Sequence, residues 1–217
     1  MPGRIIPLVT GQFYHIFNRG SDKRNIFLQS RDYKRFQYTF YYYQYAGPKR
    51  RFSKLSKLDF KNFQPDPAKK LVEIIAYCLM PNHFHFLIKQ LKDGGIPNFM
   101  SSLCNSYTKY FNIKNRRVGP LLQGKYQNVL IESEEQLLHV SRYIHLNPIV
   151  SGITKNLINY QWSSYPEYIA GYNHFCQPKE VLSLFPSPRK YQEFVDNQID
   201  YATTLEIIKH QVIDING

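Results

Sequence analysis

Apolar positions recur along this chain with two periods, and together they predict a mixed α and β architecture. Residues 12–18, QFYHIFN, are rich in β-favouring types and run into Asn18-Arg19-Gly20, a turn signal, so they predict a first strand. Residues 31–45 contain no Gly or Pro, offer Ser30 or Asp32 as N-cap, and predict a helix that Gly47 and Pro48 end. Residues 71–79, LVEIIAYCL, and 83–90, HFHFLIKQ, predict two strands joined through Pro81-Asn82 as a hairpin. A helix over about 97–113 follows, its stripe at Met100, Leu103, Tyr107 and Tyr110/Phe111. Residues 126–131 predict another strand. Ser133 with Gln136 three residues on forms a capping box that opens a further helix, expected to stop near Pro148.

The order β-α-β-β-α-β plus one helix is the ferredoxin-like split βαβ pattern, an α+β fold. It predicts a four-stranded antiparallel sheet with helices on one face, then a tyrosine-bearing helix and a C-terminal helical extension. A length of 217 residues suits one sizeable core with a tail, divided here into 1–170 and 171–217. Helices are expected near 188–198 and 201–215. The polar, basic stretch 47–70 reads as a loop or a flap that orders on a ligand.

Charge changes the picture. The formal net charge is +12, and residues 1–61 alone carry +10, with 13 Lys/Arg against Asp22, Asp32 and Asp59. Such a field attracts a polyanion and releases counterions on binding, although a basic solvated surface would look the same. Aromatics interleave these charges (Tyr38, Tyr41, Tyr42, Tyr43, Tyr45) and suit stacking with unpaired bases, while Phe36 and Phe40 are expected in the core. Nucleic acid is the favoured partner. No run of apolar residues is long enough for a membrane span, and no signal peptide is legible, so the expected location is cytoplasmic and nucleoid-associated. Cys78, Cys104 and Cys176 are odd in number and far apart, which gives neither a disulfide framework nor a CxxC metal site.

His83-Phe84-His85 carries the sharpest local chemistry. On a strand the two imidazoles face one way, their Cα atoms roughly 6.5–7 Å apart, a span that one metal ion can close. With 7 histidines in 217 residues, chance supplies about 0.2 such triplets. The triplet alone is therefore a weak signal, and a pair of packed or solvated strand histidines fits it too. Mg²⁺ or Mn²⁺ wants about six ligands, mostly oxygen, so a third protein ligand and a substrate phosphate would be required. In the helix after Ser133, Leu137, Val140 and Ile144 form an apolar face. His139, Tyr143 and Asn147 form a polar stripe beside it, one turn apart. An Asn amide oxygen can ligate a metal and a Tyr phenol can be a covalent nucleophile, but packing and helix-end roles are open for both. His139 and His145 read as surface or supporting histidines.

At these residues the sequence resembles a known family. The run Ala76-Tyr77-Cys78-Leu79-Met80-Pro81-Asn82-His83-Phe84-His85 is similar to the HUH segment of the single-tyrosine transposases. Tyr143-Ile144-His145-Leu146-Asn147-Pro148 is similar to their tyrosine helix. The flanking runs Tyr14–Gly20, Gly119–Tyr126 and Trp162–Tyr165 resemble the REP-associated tyrosine transposase branch. The resemblance spans about residues 11–170 and leaves 171–217 unexplained; 47–70 matches it poorly. It implies the ferredoxin-like fold, His83 and His85 as metal ligands with Asn147 as the third, Mg²⁺ or Mn²⁺ as cofactor, and Tyr143 as nucleophile. The implied activity is that of a DNA transposase: cleaving and rejoining single-stranded or hairpin DNA through a 5′-phosphotyrosine. Arg19, Lys125, Arg142, Lys49, Arg50 and Arg51 are the candidate DNA contacts. A monomer and a homodimer both remain open, and the competing reading is a ferredoxin-like domain that binds nucleic acid without cutting it.

Overall fold

The structure, a computed structural model, describes residues 8–47, 52–55, 62–172 and 174–200. Four strands, β1 (Phe13–Arg19), β2 (Val72–Met80), β3 (His83–Gln90) and β4 (Gln127–Ile131), form one sheet in the order β2-β3-β1-β4. Every neighbouring pair is antiparallel. Helix α1 (Ser30–Tyr43) links β1 to β2, and α2 (Gly95–Lys114) links β3 to β4. This is the ferredoxin-like arrangement expected from the element order.

Alternation along the strands separates two faces. Tyr14, Ile16, Phe84, Phe86 and Ile88 are fully buried on one of them. There Phe36 and Phe40 of α1 and Phe99 of α2 meet Phe84 and Phe86, with ring centroids 5.1–6.2 Å apart. Asp32 ties these two helices together. Its fully buried carboxylate accepts the Leu28 and Gln29 N–H groups at 3.0 and 3.1 Å, the Tyr110 hydroxyl at 2.9 Å and the Lys114 ammonium at 2.5 Å. The N-cap of α1 is Gln29, not Ser30 or Asp32, and Asp32 instead closes the capping box from the third position. Asp32→Ala is expected to cost about 3–5 kcal/mol in urea denaturation, because it orphans two amides and a cation at once. A loss below about 1 kcal/mol would mean that water replaces the carboxylate.

The opposite face is covered by α3 (Glu134–Val150), which packs on β2 and β3. Ser133 caps it through the Gln136 N–H at 3.1 Å, while the Gln136 side chain accepts the Glu132 N–H at 2.8 Å. The helix carries Pro148 inside its last turn. It runs to Val150, because a proline in the last turn forfeits a single backbone bond, the one to the Ile144 carbonyl. The chain beyond closes with Ser151 N–H on the Asn147 carbonyl at 2.9 Å and Gly152 N–H on the Ile149 carbonyl at 2.8 Å.

Among the described residues three further helices follow: α4 (Tyr165–Ala170), α5 (Lys179–Leu182) and α6 (Pro188–Asp196). Tyr191 and Val195 of α6 are fully buried, so this part of the 171–217 segment shares the core with α3. The helix expected at 201–215 lies outside the described residues. Of the 47–70 stretch, Phe52–Lys54 and Pro67–Lys69 form single 3₁₀ turns. All three cysteines are free.

Candidate active site

The register of β1 against β3 builds the site. Arg19 lies opposite His83, Phe17 opposite His85 and His15 opposite Leu87, all on the sheet face turned towards α3. Asn82, in the turn before β3, is held from two sides. Its carbonyl accepts the Gly20 N–H at 2.8 Å, and its amide nitrogen donates to the Lys23 carbonyl at 3.3 Å. Gly20 is required here, since a Cβ would lie 2.2 Å from the Arg24 carbonyl oxygen. Asp22 and Lys23 then turn the chain with positive φ, 55° and 56°. The Gly119–Lys125 loop docks on the end of β1 through Ser21 N–H to the Leu121 carbonyl at 3.0 Å and Gln123 N–H to the Arg19 carbonyl at 2.8 Å. The Arg19 guanidinium also donates to the Gln123 side-chain oxygen.

These elements enclose an open cavity of about 570 Å³ lined by Phe17, Asn18, Arg19, Lys23, Asn82, His83, His85, Gln123, Lys125, Gln127 and Tyr143. Among the described residues three cations and no carboxylate line it, which suits a phosphate-bearing ligand. Tyr143 projects from α3 with 52% of its surface exposed. Its ring meets His85 of the same chain edge-on, centroids 5.5 Å apart, and His15 at 5.8 Å. His83 and His85 lie 5.0 Å apart, with perpendicular rings. Tyr143 and both histidines thus converge within one chain.

The donor atoms suit a metal in one respect. His83 Nδ1 lies 2.6 Å from Asn82 Oδ1, an atom that only accepts, so that ring carries its proton on Nδ1 and leaves Nε2 free. His85 Nδ1 lies 2.9 Å from His15 Nε2, so which His85 nitrogen carries the proton depends on which ring donates across that contact. Burial, helped by the nearby Arg19 cation, lowers His83 to about 4. Burial and then its two histidine neighbours push His85 well below the ordinary 6.5. Neutral imidazoles with an open lone pair are what a divalent cation requires. Among the described residues, however, no group of three or more His, Cys, Asp and Glu could hold a metal.

Asn147 lies one turn beyond Tyr143 but does not line the cavity. It is nearly buried, and its amide nitrogen donates to the Tyr143 carbonyl at 2.8 Å, which leaves Oδ1 as its remaining acceptor. Arg19 and Lys125 line the cavity; Arg142 does not. The Arg142 guanidinium stacks on Phe194 of α6 at 4.1 Å and donates to its carbonyl at 3.4 Å. Lys49, Arg50 and Arg51 lie outside the described residues. His139 is solvent-facing beside Arg142 and Glu135. His145 is fully buried, its Nδ1 on the Tyr191 hydroxyl and its Nε2 on Ser164 Oγ, both at 2.7 Å, and so couples α3 to α6. Sequence reasoning gave no role to His15, Lys23, Asn82, Gln123 or Gln127. His15 and Asn82 stood inside the runs that carried the family resemblance, but only strand register and turn geometry bring them to the site.

The fold and this convergence define an α+β domain with an imidazole pair and a phenol over a cationic cavity. Residues 56–147 match the family model described as "Transposase IS200 like", so over that stretch the chain carries the sequence pattern of the IS200-like transposases. A solved structure of a REP-associated tyrosine transposase bound to a REP hairpin aligns with a TM-score of 0.55 at 17% identity, covering 83% of this chain and 93% of that one. At that identity the likeness speaks for the fold. A Deinococcus radiodurans R1 protein described as a transposase aligns at 15% identity over 66% of this chain and 95% of its own, with a TM-score of 0.38. No curated protein sequence matches. Among the described residues no helix is long and apolar enough to cross a membrane.

Proposed function

We propose that this chain is a single-tyrosine DNA strand transferase that cleaves and rejoins single-stranded DNA beside a hairpin, as transposases of this kind would. The observation that carries the reading is the approach of the Tyr143 ring to His85 of its own chain, at the wall of a cavity lined by Arg19, Lys23 and Lys125. His83 and His85 would hold Mg²⁺ or Mn²⁺ through Nε2, while Asn147, expected as the third donor, stands outside the cavity lining, which leaves the further positions to the scissile phosphate and water. Such a cation, when bound, offsets the charge of the scissile phosphate.

Tyr143 supplies the nucleophile. Its phenolic oxygen bonds to phosphorus as the P–O3′ bond breaks; the phenol proton is lost, and the departing 3′ oxygen gains one to become a hydroxyl. The product is a 5′-phosphotyrosine that keeps the energy of the phosphodiester, so a 3′-OH reverses the step and joins a strand. Arg19, Lys23 and Lys125 neutralise the backbone phosphates that flank the break. Because Tyr143 and His85 belong to one chain, a monomer suffices for cleavage.

A hairpin oligonucleotide with a single-stranded flank tests this. With Mn²⁺ a denaturant-stable protein–DNA adduct is expected, and with EDTA none. The second reading, a binding domain without cleavage, draws on the absence of a three-residue metal cluster among the described His, Cys, Asp and Glu. It predicts salt-dependent binding that chelation leaves unchanged, and no adduct. Strand scission without an adduct would instead indicate attack by water.

A further inference from the structure

We propose that His15 is a positioning residue that sets the tautomer of His85 by accepting the proton on its Nδ1, so that the Nε2 lone pair faces the cavity. It rests on the reading of His83 and His85 as metal-binding side chains, and extends it to a residue outside the HFH triplet.

The two strand histidines have their second nitrogens occupied in different ways. For His83 the partner is Asn82 Oδ1 at 2.6 Å. The orientation of that amide is fixed, because its nitrogen donates to the Lys23 carbonyl. An amide oxygen accepts and never donates, so His83 has one tautomer. For His85 the partner is another imidazole, His15 Nε2 at 2.9 Å, with the rings stacked at 5.1 Å between centroids. Two neutral rings share one proton across that gap. If His15 donates, His85 bears its proton on Nε2 and cannot ligate. If His15 accepts, both His83 and His85 present bare Nε2 atoms.

The backbone builds this contact. β1 pairs with β3 so that His15 lies opposite Leu87, diagonal to His85 and on the same face. His15 is also edge-on to Tyr143 at 5.8 Å and tilted against Phe17 at 5.0 Å. It therefore has little room to rotate away from His85. Hydrogen-bond partners of ligating histidines fix the ring's tautomer and orientation, and their loss typically weakens metal affinity 10–100-fold.

Long-range ¹H–¹⁵N NMR on histidine-labelled protein, in chelator at pH 7.5, reads the His85 tautomer directly. The wild type should carry its proton on Nδ1. In His15→Phe, which keeps a ring but no acceptor, His85 should shift towards the Nε2–H form. In His15→Gln, whose amide oxygen accepts, the Nδ1–H form should persist. Mn²⁺ titration followed by electron paramagnetic resonance should then show binding weakened about 10–100-fold in His15→Phe and little changed in His15→Gln. A wild-type His85 protonated on Nε2, or a tautomer and Mn²⁺ affinity untouched in His15→Phe, overturns the role of His15. If His15→Phe does not fold, loss of the Nδ1–H form in His15→Gln overturns it equally. Wild-type protein with the expected tautomer but no Mn²⁺ uptake would refute the metal reading and leave the His15–His85 pairing standing.

Discussion

Tyr143→Phe is expected to eliminate the covalent protein–DNA adduct while leaving hairpin affinity within about threefold of wild type, under 1 kcal/mol. The substitution removes one oxygen and keeps the ring that packs edge-on against His15 and His85. With about half of the side chain in solvent, folding stability should change by less than about 0.5 kcal/mol. In the proposed reaction the lost oxygen is the atom that would bond to phosphorus, and neither imidazole could replace it in a phosphotyrosine. Denaturing gels read the adduct and filter binding reads the affinity. An adduct that survives in the variant would assign the nucleophile to another residue.

The second large effect is on stability in acid. Four imidazoles of the folded chain, His85 and His145 buried and His15 and His83 half-buried, resist protonation. Burial lowers His15 and His83 to about 4 and His145 to about 3, with Arg19 adding to the effect at His83. His85 is also pushed well down, by burial first and then by His83 and His15. In the unfolded chain each returns to the ordinary 6.5. Below pH 6.5 the unfolded state therefore binds protons that the folded state refuses, and stability falls with pH until the folded values near 4 and 3 are passed. Each site contributes up to about 1.4 kcal/mol per pH unit in that window. Because all four act in the same direction, the fall is steep against a typical total stability of about 5–15 kcal/mol. Urea midpoints measured in chelator should stay level above pH 7 and drop steeply between pH 6 and 5. A level profile down to pH 5 would show that these rings take up protons inside the fold.

The element order and the sheet were legible because each strand carries its own alternation and each helix its own stripe. The Phe face of β3 and the His face of the same strand follow from period two alone. The convergence of His83, His85 and Tyr143 was legible through the family motifs, since periodicity gives a face but not a distance. What was hidden depends on register between distant segments. His15 reaches His85 only because β1 slides to one particular pairing with β3. Arg142 sits next to Tyr143 in sequence, yet a helix almost fifty residues later draws it onto Phe194. The 171–217 segment showed no readable chemistry for a related reason. Among its contributions within the described residues is the Tyr191 hydroxyl on His145 and Ser141, a buried contact that no local pattern announces.

The placement of β1 has a consequence for how the molecule comes into being. The strand nearest the amino end occupies the middle of the sheet, flanked by β3 and by β4, whose residues pair with it across more than a hundred positions of chain. At roughly 5–20 residues per second, a ribosome needs on the order of 5–20 s to deliver β4 after β1 has emerged. Until then one edge of a β-prone, aromatic segment waits without its neighbour. Assembly dominated by such remote pairings is slow, and it leaves the nascent chain exposed to association until the sheet closes.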